Sequence, residues 1–193
     1  MSTIARTRIN PLAAEERPLA FDVGVALLTG LGIALAKRTL DFHLGVPGHA
    51  GASWIAVLVL GALVNRRPGM TLLAGASAGG WGVPLGLHQS ALYNAELFGS
   101  AAAAIDILMA LRLPIATMIG AAVAGALAHA TKFAFIYVYA SGTGVVKHFE
   151  VYGVTTALRN HLLFGVVGGL IAWAVFNAAR SAAEARDPSG GNP

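Results

Sequence analysis

Apolar stretches recur along this chain between charged or turn-forming punctuation, and their lengths suit helices in a bilayer. The first, residues 19–36, ends at Lys37-Arg38. A polar stretch with Gly and Pro, Asp41 to Gly51, separates it from a second, residues 52–64. The basic turn Asn65-Arg66-Arg67-Pro68-Gly69 leads into a third rich in Gly and Ala, residues 70–87. A fourth at 91–111 closes at Arg112 and Pro114, a fifth covers 115–140, and a sixth covers 157–179. The pattern predicts an all-α membrane protein, a compact bundle of about six transmembrane helices. The second segment is short for a span; were it to pair with the third as a re-entrant unit, the count would fall.

The flanks divide the chain into a polar N-terminal leader at 1–18, a transmembrane domain at 19–179 and a disordered tail at 180–193. Six spans put both termini on one side. With the N-terminus inside, that side collects Arg6, Arg8, Arg17, Arg66, Arg67, Arg112, Arg180 and Arg186. The other collects Lys37, Arg38, Lys147 and Arg159. The excess of positive charge in short cytoplasmic segments sets orientation, so both termini are expected in the cytoplasm, with the protein multi-pass in a bacterial inner membrane. The apolar stretch after the leader lacks a small-residue cleavage site, so the leader is not read as a removed signal peptide.

Composition sharpens this picture. Of 193 residues 56% are hydrophobic and 11% charged, where a soluble domain carries roughly a quarter charged. The mean hydropathy is +0.67. A soluble chain so poor in charge could not cover its own surface. The net charge of +4 has no basic stripe, so nucleic acid is not an expected partner. Absence of cysteine removes disulfides, thiolate metal sites and cysteine nucleophiles. No GxxxxGK[ST], GxSxG or HExxH stretch occurs, so the chain carries no P-loop and no familiar hydrolase motif; no catalytic residue or cofactor is expected. Active transport would draw on an ion gradient or another subunit.

Small residues form ladders at four-residue spacing: Ala26, Gly30 and Ala34; Gly75 and Gly79; Ala122, Ala126 and Ala130; Gly165 and Gly169. Each makes a flat strip for close backbone approach, within the bundle or toward another subunit. The first is the best candidate for partner docking.

Ionisable and polar groups inside spans are expensive and point to function. His129 and Lys132 lie three apart on the fifth segment, with Phe133, Ile136 and Tyr137 continuing that face. Lys132 either snorkels to the interface or lines a pocket. His161 shares a face with Gly165 and Gly169 and follows Arg159 and Asn160. Trp81, His88, Gln89, Tyr93, Asn94 and Glu96 gather around the third-to-fourth connection; Asp41, His43, His49 and Trp54 gather around the first. Under six spans these all fall near the outer side, where aromatic walls with a few polar groups suit a small solute. Histidines and carboxylates also raise a transition metal, but no pair has HxxxH spacing and no metal is expected. Asp106, near the inner end of the fourth segment, is expected to pair with nearby arginines or to couple to a partner.

These features resemble the substrate-binding S components of energy-coupling-factor vitamin transporters. The resemblance spans residues 21–179 and is carried by the Ala26/Gly30/Ala34 ladder, the loop GVPGHAG at 45–51, the Arg66-Arg67-Pro68-Gly69 turn into LLAGASAGG, HATKF at 129–133 and HLLFG at 161–165. It implies six helices, cytoplasmic termini, and one vitamin or precursor bound near the outer face beneath the first loop. It also implies a transmembrane coupling protein with two ATPases, docked on the first helix through Ala26, Gly30 and Ala34. The gate would be residues 41–51, and the pocket would draw on His49, Trp54, Trp81, Tyr93, Glu96, His129, Lys132, Asn160 and His161. No motif singles out one vitamin. The alternatives are a non-catalytic subunit of a larger membrane complex, and a membrane enzyme or ion carrier using His129, Lys132, Glu96 or Asp106.

Overall fold

The structure, a computed structural model, describes residues 17–40, 46–88, 90–143 and 153–186. Within them the chain is all-helical, with six helices: α1 (Leu19–Thr39), α2 (Gly51–Val64), α3 (Met70–Gly82), α4 (Ala91–Ala110), α5 (Met118–Thr143) and α6 (Val154–Arg186). Expectations for Asp41, His43, Gln89, Lys147, most of the leader and the end of the tail lie outside the described residues.

Local chemistry places the ends. Pro18 precedes α1, and Lys37 and Arg38 sit in its last turn, where cations favour the negative end of the helix dipole. Gly69 takes a left-handed conformation (φ +83°) that reverses the chain between α2 and α3. The Ser90 hydroxyl accepts the Tyr93 N–H at 3.1 Å and starts α4. The Thr117 hydroxyl accepts the Gly120 N–H at 3.0 Å and starts α5.

Three helices, α1, α5 and α6, are long and apolar enough to cross a membrane. At 14 and 13 residues, α2 and α3 rise about 21 and 20 Å, short of a hydrocarbon core of roughly 30 Å. The α4 helix has 20 residues, but Asn94, Glu96 and Asp106 dilute its apolar run. Nor do α2 and α3 form a hairpin: α2 packs chiefly on α6 and α1, and α3 on α4 and α1. α6 continues through Arg186, into the segment expected as a disordered tail. Its last turns carry an Arg180–Glu184 ion pair of 2.8 Å at i,i+4 spacing, which supports helix there.

Consecutive helices alternate in direction. One end of the bundle holds the start of α1, the α2–α3 turn and the end of α4. There the Asp22 carboxylate pairs with Arg67 at 2.8 Å, and the Asp106 carboxylate accepts the Leu72 N–H at 2.9 Å. The other end holds the α3–α4 connection and Val46–Ala50. Asp106 therefore caps the first turn of α3; it does not pair with an arginine, because Leu72 presents an otherwise orphaned helical N–H.

The ladders do the packing. A Cβ on Gly30 would lie 2.6 Å from the Ala74 carbonyl, on Gly75 2.7 Å from the Phe98 carbonyl, and on Gly165 2.8 Å from the Ala126 Cα. Ala26, Gly30 and Ala34 are buried, so the strip expected to dock a partner holds α1 against α3. The core is Trp54, Ile55, Leu58 and Val59 of α2 with Ile33, Phe98 and Ile105. Outside, Leu28, Leu92, Ile119 and Val138 are each at least 68% exposed, a surface suited to hydrocarbon.

Candidate functional site

Beneath the Val46–Ala50 turn lies a pair of histidines. His129, midway along α5, is 0% exposed, and His161 of α6 is buried beside it with ring centroids 4.6 Å apart. They meet because Gly165 and Gly169, one and two turns on from His161, let α6 approach α5 at backbone contact. His161 Nδ1 donates to the Ala157 carbonyl at 2.8 Å. Among the described residues neither ring nitrogen of His129 has a partner at hydrogen-bond geometry, although the His161 backbone lies close enough to act on the ring. An imidazole held this way in an apolar core is unusual, since an unmade buried hydrogen bond costs roughly 1–3 kcal/mol.

Aromatic rings wall the pair. Trp54 stands edge-on to His129 at 6.0 Å and to Phe98 at 5.2 Å, and Phe133 lies 4.9 Å from His161. Lys132, one turn beyond His129, is half-buried, and its charge acts on both imidazoles.

The roof is the turn into α2. Gly48 has φ +88°, and a Cβ there would lie 3.0 Å from His161 Nδ1. Gly51 opens α2 against the His129 ring, with no room for a side chain. His49, between them, donates from Nδ1 to the Val46 carbonyl and turns its ring toward Phe164. The 14-residue α2 thus starts within the bundle, directing the positive end of its dipole at the histidines.

The single outer pocket expected from the sequence separates into parts. His129, His161, Trp54 and the turn bearing His49 come together, with Lys132 alongside. Tyr93 belongs to another group, its ring 4.3 Å from His88 (tilted) and 4.8 Å from Tyr139 (edge-on), with Phe135 at 5.6 Å. Trp81 and Glu96 face outward from α3 and α4, because Gly79 and Gly82 of α3 and Asn94, Leu97 and Phe98 of α4 take the inward positions. Asn160 is half-buried, next in sequence to His161. Phe98, a wall of the site, escaped sequence reasoning because a phenylalanine in an apolar helix carries no mark of its own. Asp22 was missed too, although an acid three residues into an apolar stretch was a legible signal. Among the described residues no three His, Asp or Glu side chains gather as a metal ion requires.

The fold and site define an all-helical protein with three helices long and apolar enough to cross a membrane and a buried pair of histidines. Comparison with protein-family models, curated proteins and solved structures finds no match.

Proposed function

We propose that this chain is a membrane-embedded solute-binding transport subunit. It spans a bacterial inner membrane as a bundle of about six helices with both termini in the cytoplasm. Its solute is a vitamin or vitamin precursor, and a separate coupling protein with ATPases supplies the energy. The observation that carries the reading is His129: fully buried, walled by aromatic rings, and, among the described residues, without a partner at hydrogen-bond geometry for either nitrogen. A heterocyclic or amide solute supplies those hydrogen bonds, with Trp54 and Phe133 against its faces and Lys132 near an acceptor group. The Gly48–Gly51 turn closes the site, so entry requires that turn to lift. The coupling protein meets a face other than Ala26, Gly30 and Ala34, which are occupied by α3.

The test is a thermal-shift screen of the detergent-purified chain against vitamins, their precursors and divalent metals. A ligand at a hundredfold excess over its dissociation constant stabilises the native state by about 2.7 kcal/mol. The expected result is a shift with one vitamin-like compound, lost in Trp54→Ala and in His129→Leu. A well-folded chain that responds to nothing overturns the reading.

One observation favours a second reading, a non-catalytic subunit of a larger membrane complex. The histidine pair is closed by Gly48 and Gly51, so closely that a Cβ at position 51 would overlap the His129 ring. On that reading no compound shifts the melting temperature, and the chain copurifies with its assembly in mild detergent.

A further inference from the structure

Three arginines far apart in sequence lie at the end of the bundle opposite the histidines. Arg17 precedes α1 and donates from a guanidinium nitrogen to the Val64 carbonyl, the last of α2, at 3.3 Å. Arg66 follows α2 two residues later. Arg180 arrives by register. Gly48 lies on His161, and Ala52 and Ile55 lie on Gly168, so the two segments run in the same direction. Twelve residues beyond Gly168 and the Ala52–Ile55 level, α6 reaches Arg180 as α2 reaches its end at Arg66. Burial, then the charges of Arg180 and Arg17, lower the Arg66 pKa, as this proximity requires.

Among the described residues the cluster is not internally balanced: with Arg67 it holds four guanidiniums against two carboxylates, Asp22 on Arg67 and Glu184 on Arg180. Arg17, Arg66 and Arg180 are all exposed.

Apolar surface adjoins the cluster. Val64, at the end of α2, is 38% exposed, and Leu19 and Phe21, at the start of α1, are 54% and 52% exposed, with the Arg17 guanidinium 5.7 Å from the Phe21 ring. A phosphate held beside exposed apolar side chains at the end of a helix bundle is the chemistry of a phospholipid.

We infer that Arg17, Arg66 and Arg180 form a binding site for an anionic phospholipid, its phosphate on the guanidiniums and its acyl chains against the apolar side chains exposed beside them. Arginine suits phosphate through its planar fork of donors, and three of them from separate segments tie α1, α2 and α6 together around one headgroup. The site is independent of the solute reading and lies at the opposite end of α2.

The test is native mass spectrometry of the full chain in a neutral detergent. It compares phosphatidylglycerol with phosphatidylethanolamine of the same acyl chains. Phosphatidylglycerol is expected to be retained preferentially. Affinity should fall about fivefold per guanidinium removed, and on the order of a hundredfold in Arg17→Gln/Arg66→Gln/Arg180→Gln. Arg112→Gln, at the same end but outside the cluster, should keep the preference. Should the triple variant fail to fold, the turn variant Arg66→Gln alone carries the fivefold expectation. Equal retention of the two lipids, or full retention by the variants, overturns the site. Displacement of phosphatidylglycerol by millimolar inorganic phosphate reassigns it to a free anion, and displacement by polyglutamate to an acidic protein segment; either result also overturns it.

Discussion

Gly51, the first residue of α2, is seated directly on the imidazole of His129, so the roof of the site and its most deeply buried polar group share one contact. A Cβ at position 51 would overlap Nε2 and Cε1 of that ring. Gly51→Ala therefore has to push α2 outward or turn His129 off its rotamer, and overpacking of this kind costs about 1–3 kcal/mol. The expected outcome is a lowered midpoint in thermal or denaturant unfolding of the purified protein. An unchanged midpoint would mean that the Gly48–Gly51 turn yields freely.

The opposite sign is expected for His129 itself. Among the described residues its two nitrogens have no partner at hydrogen-bond geometry, so the ring contributes packing but bears the desolvation cost of unmade hydrogen bonds. His129→Leu keeps much of the volume and removes both polar atoms, a change that is neutral or stabilising where no bond is lost. The variant should melt at or above the wild-type temperature while losing any solute-induced shift. A clear fall in the melting temperature without ligand would show that the imidazole makes a structural bond.

The ladder on α1 gives a sharp contrast between two glycines one and a half turns apart. Gly30 touches α3, whereas a Cβ on Gly24 meets nothing within 4 Å. Gly24→Ala should stabilise α1 by roughly 0.5–1 kcal/mol, since glycine is the poorer helix residue. Gly30→Leu should prise α1 from α3 and destabilise the isolated chain. If Gly30→Leu left the stability of the chain untouched, the strip would have to be a docking face after all.

Much of the helical layout was legible in the sequence because apolar runs, Lys37-Arg38, the Arg66–Gly69 turn and Pro114 mark it one-dimensionally. The site was legible only in part. His129 and His161 stood out as expensive groups in apolar surroundings, and Trp54 as an aromatic opening a helix. Whether Trp81 and Glu96 pointed toward them depended on the rotation of α3 and α4, which glycine contacts such as Gly79 on Ala95 decide. Those contacts are long-range, and spacing along one helix does not encode them. The ladder Ala26/Gly30/Ala34 shows the same limit, for small residues at i, i+4 and i+8 announce close approach without naming what approaches. Asp106 likewise stood out as an acid in an apolar helix but did not name its partner, which proved to be the backbone N–H of Leu72.

The ion pair between Asp22 and Arg67 is uneven, and its two halves should respond differently to removal. The Asp22 side chain is 3% exposed while that of Arg67 is 31% exposed. Without Asp22, the guanidinium still reaches water and keeps its bond to the Arg17 carbonyl at 3.2 Å, so Asp22→Ala should cost modestly. Without Arg67, the buried carboxylate loses its ion pair and keeps only more distant, exposed arginines, and breaking a buried pair from that side costs about 3 kcal/mol or more. Arg67→Ala should therefore be the more damaging single change. Adding Asp22→Ala to it should restore part of the loss, because the stranded charge goes with it. Asn65 does not blur the comparison, since it bonds the Asp22 backbone carbonyl, at 2.7 Å, and survives both substitutions. Unfolding midpoints of the two single variants and the double close the cycle. Equal costs for the two singles, or a double variant worse than Arg67→Ala alone, would show that Asp22 is stabilised by something other than this arginine.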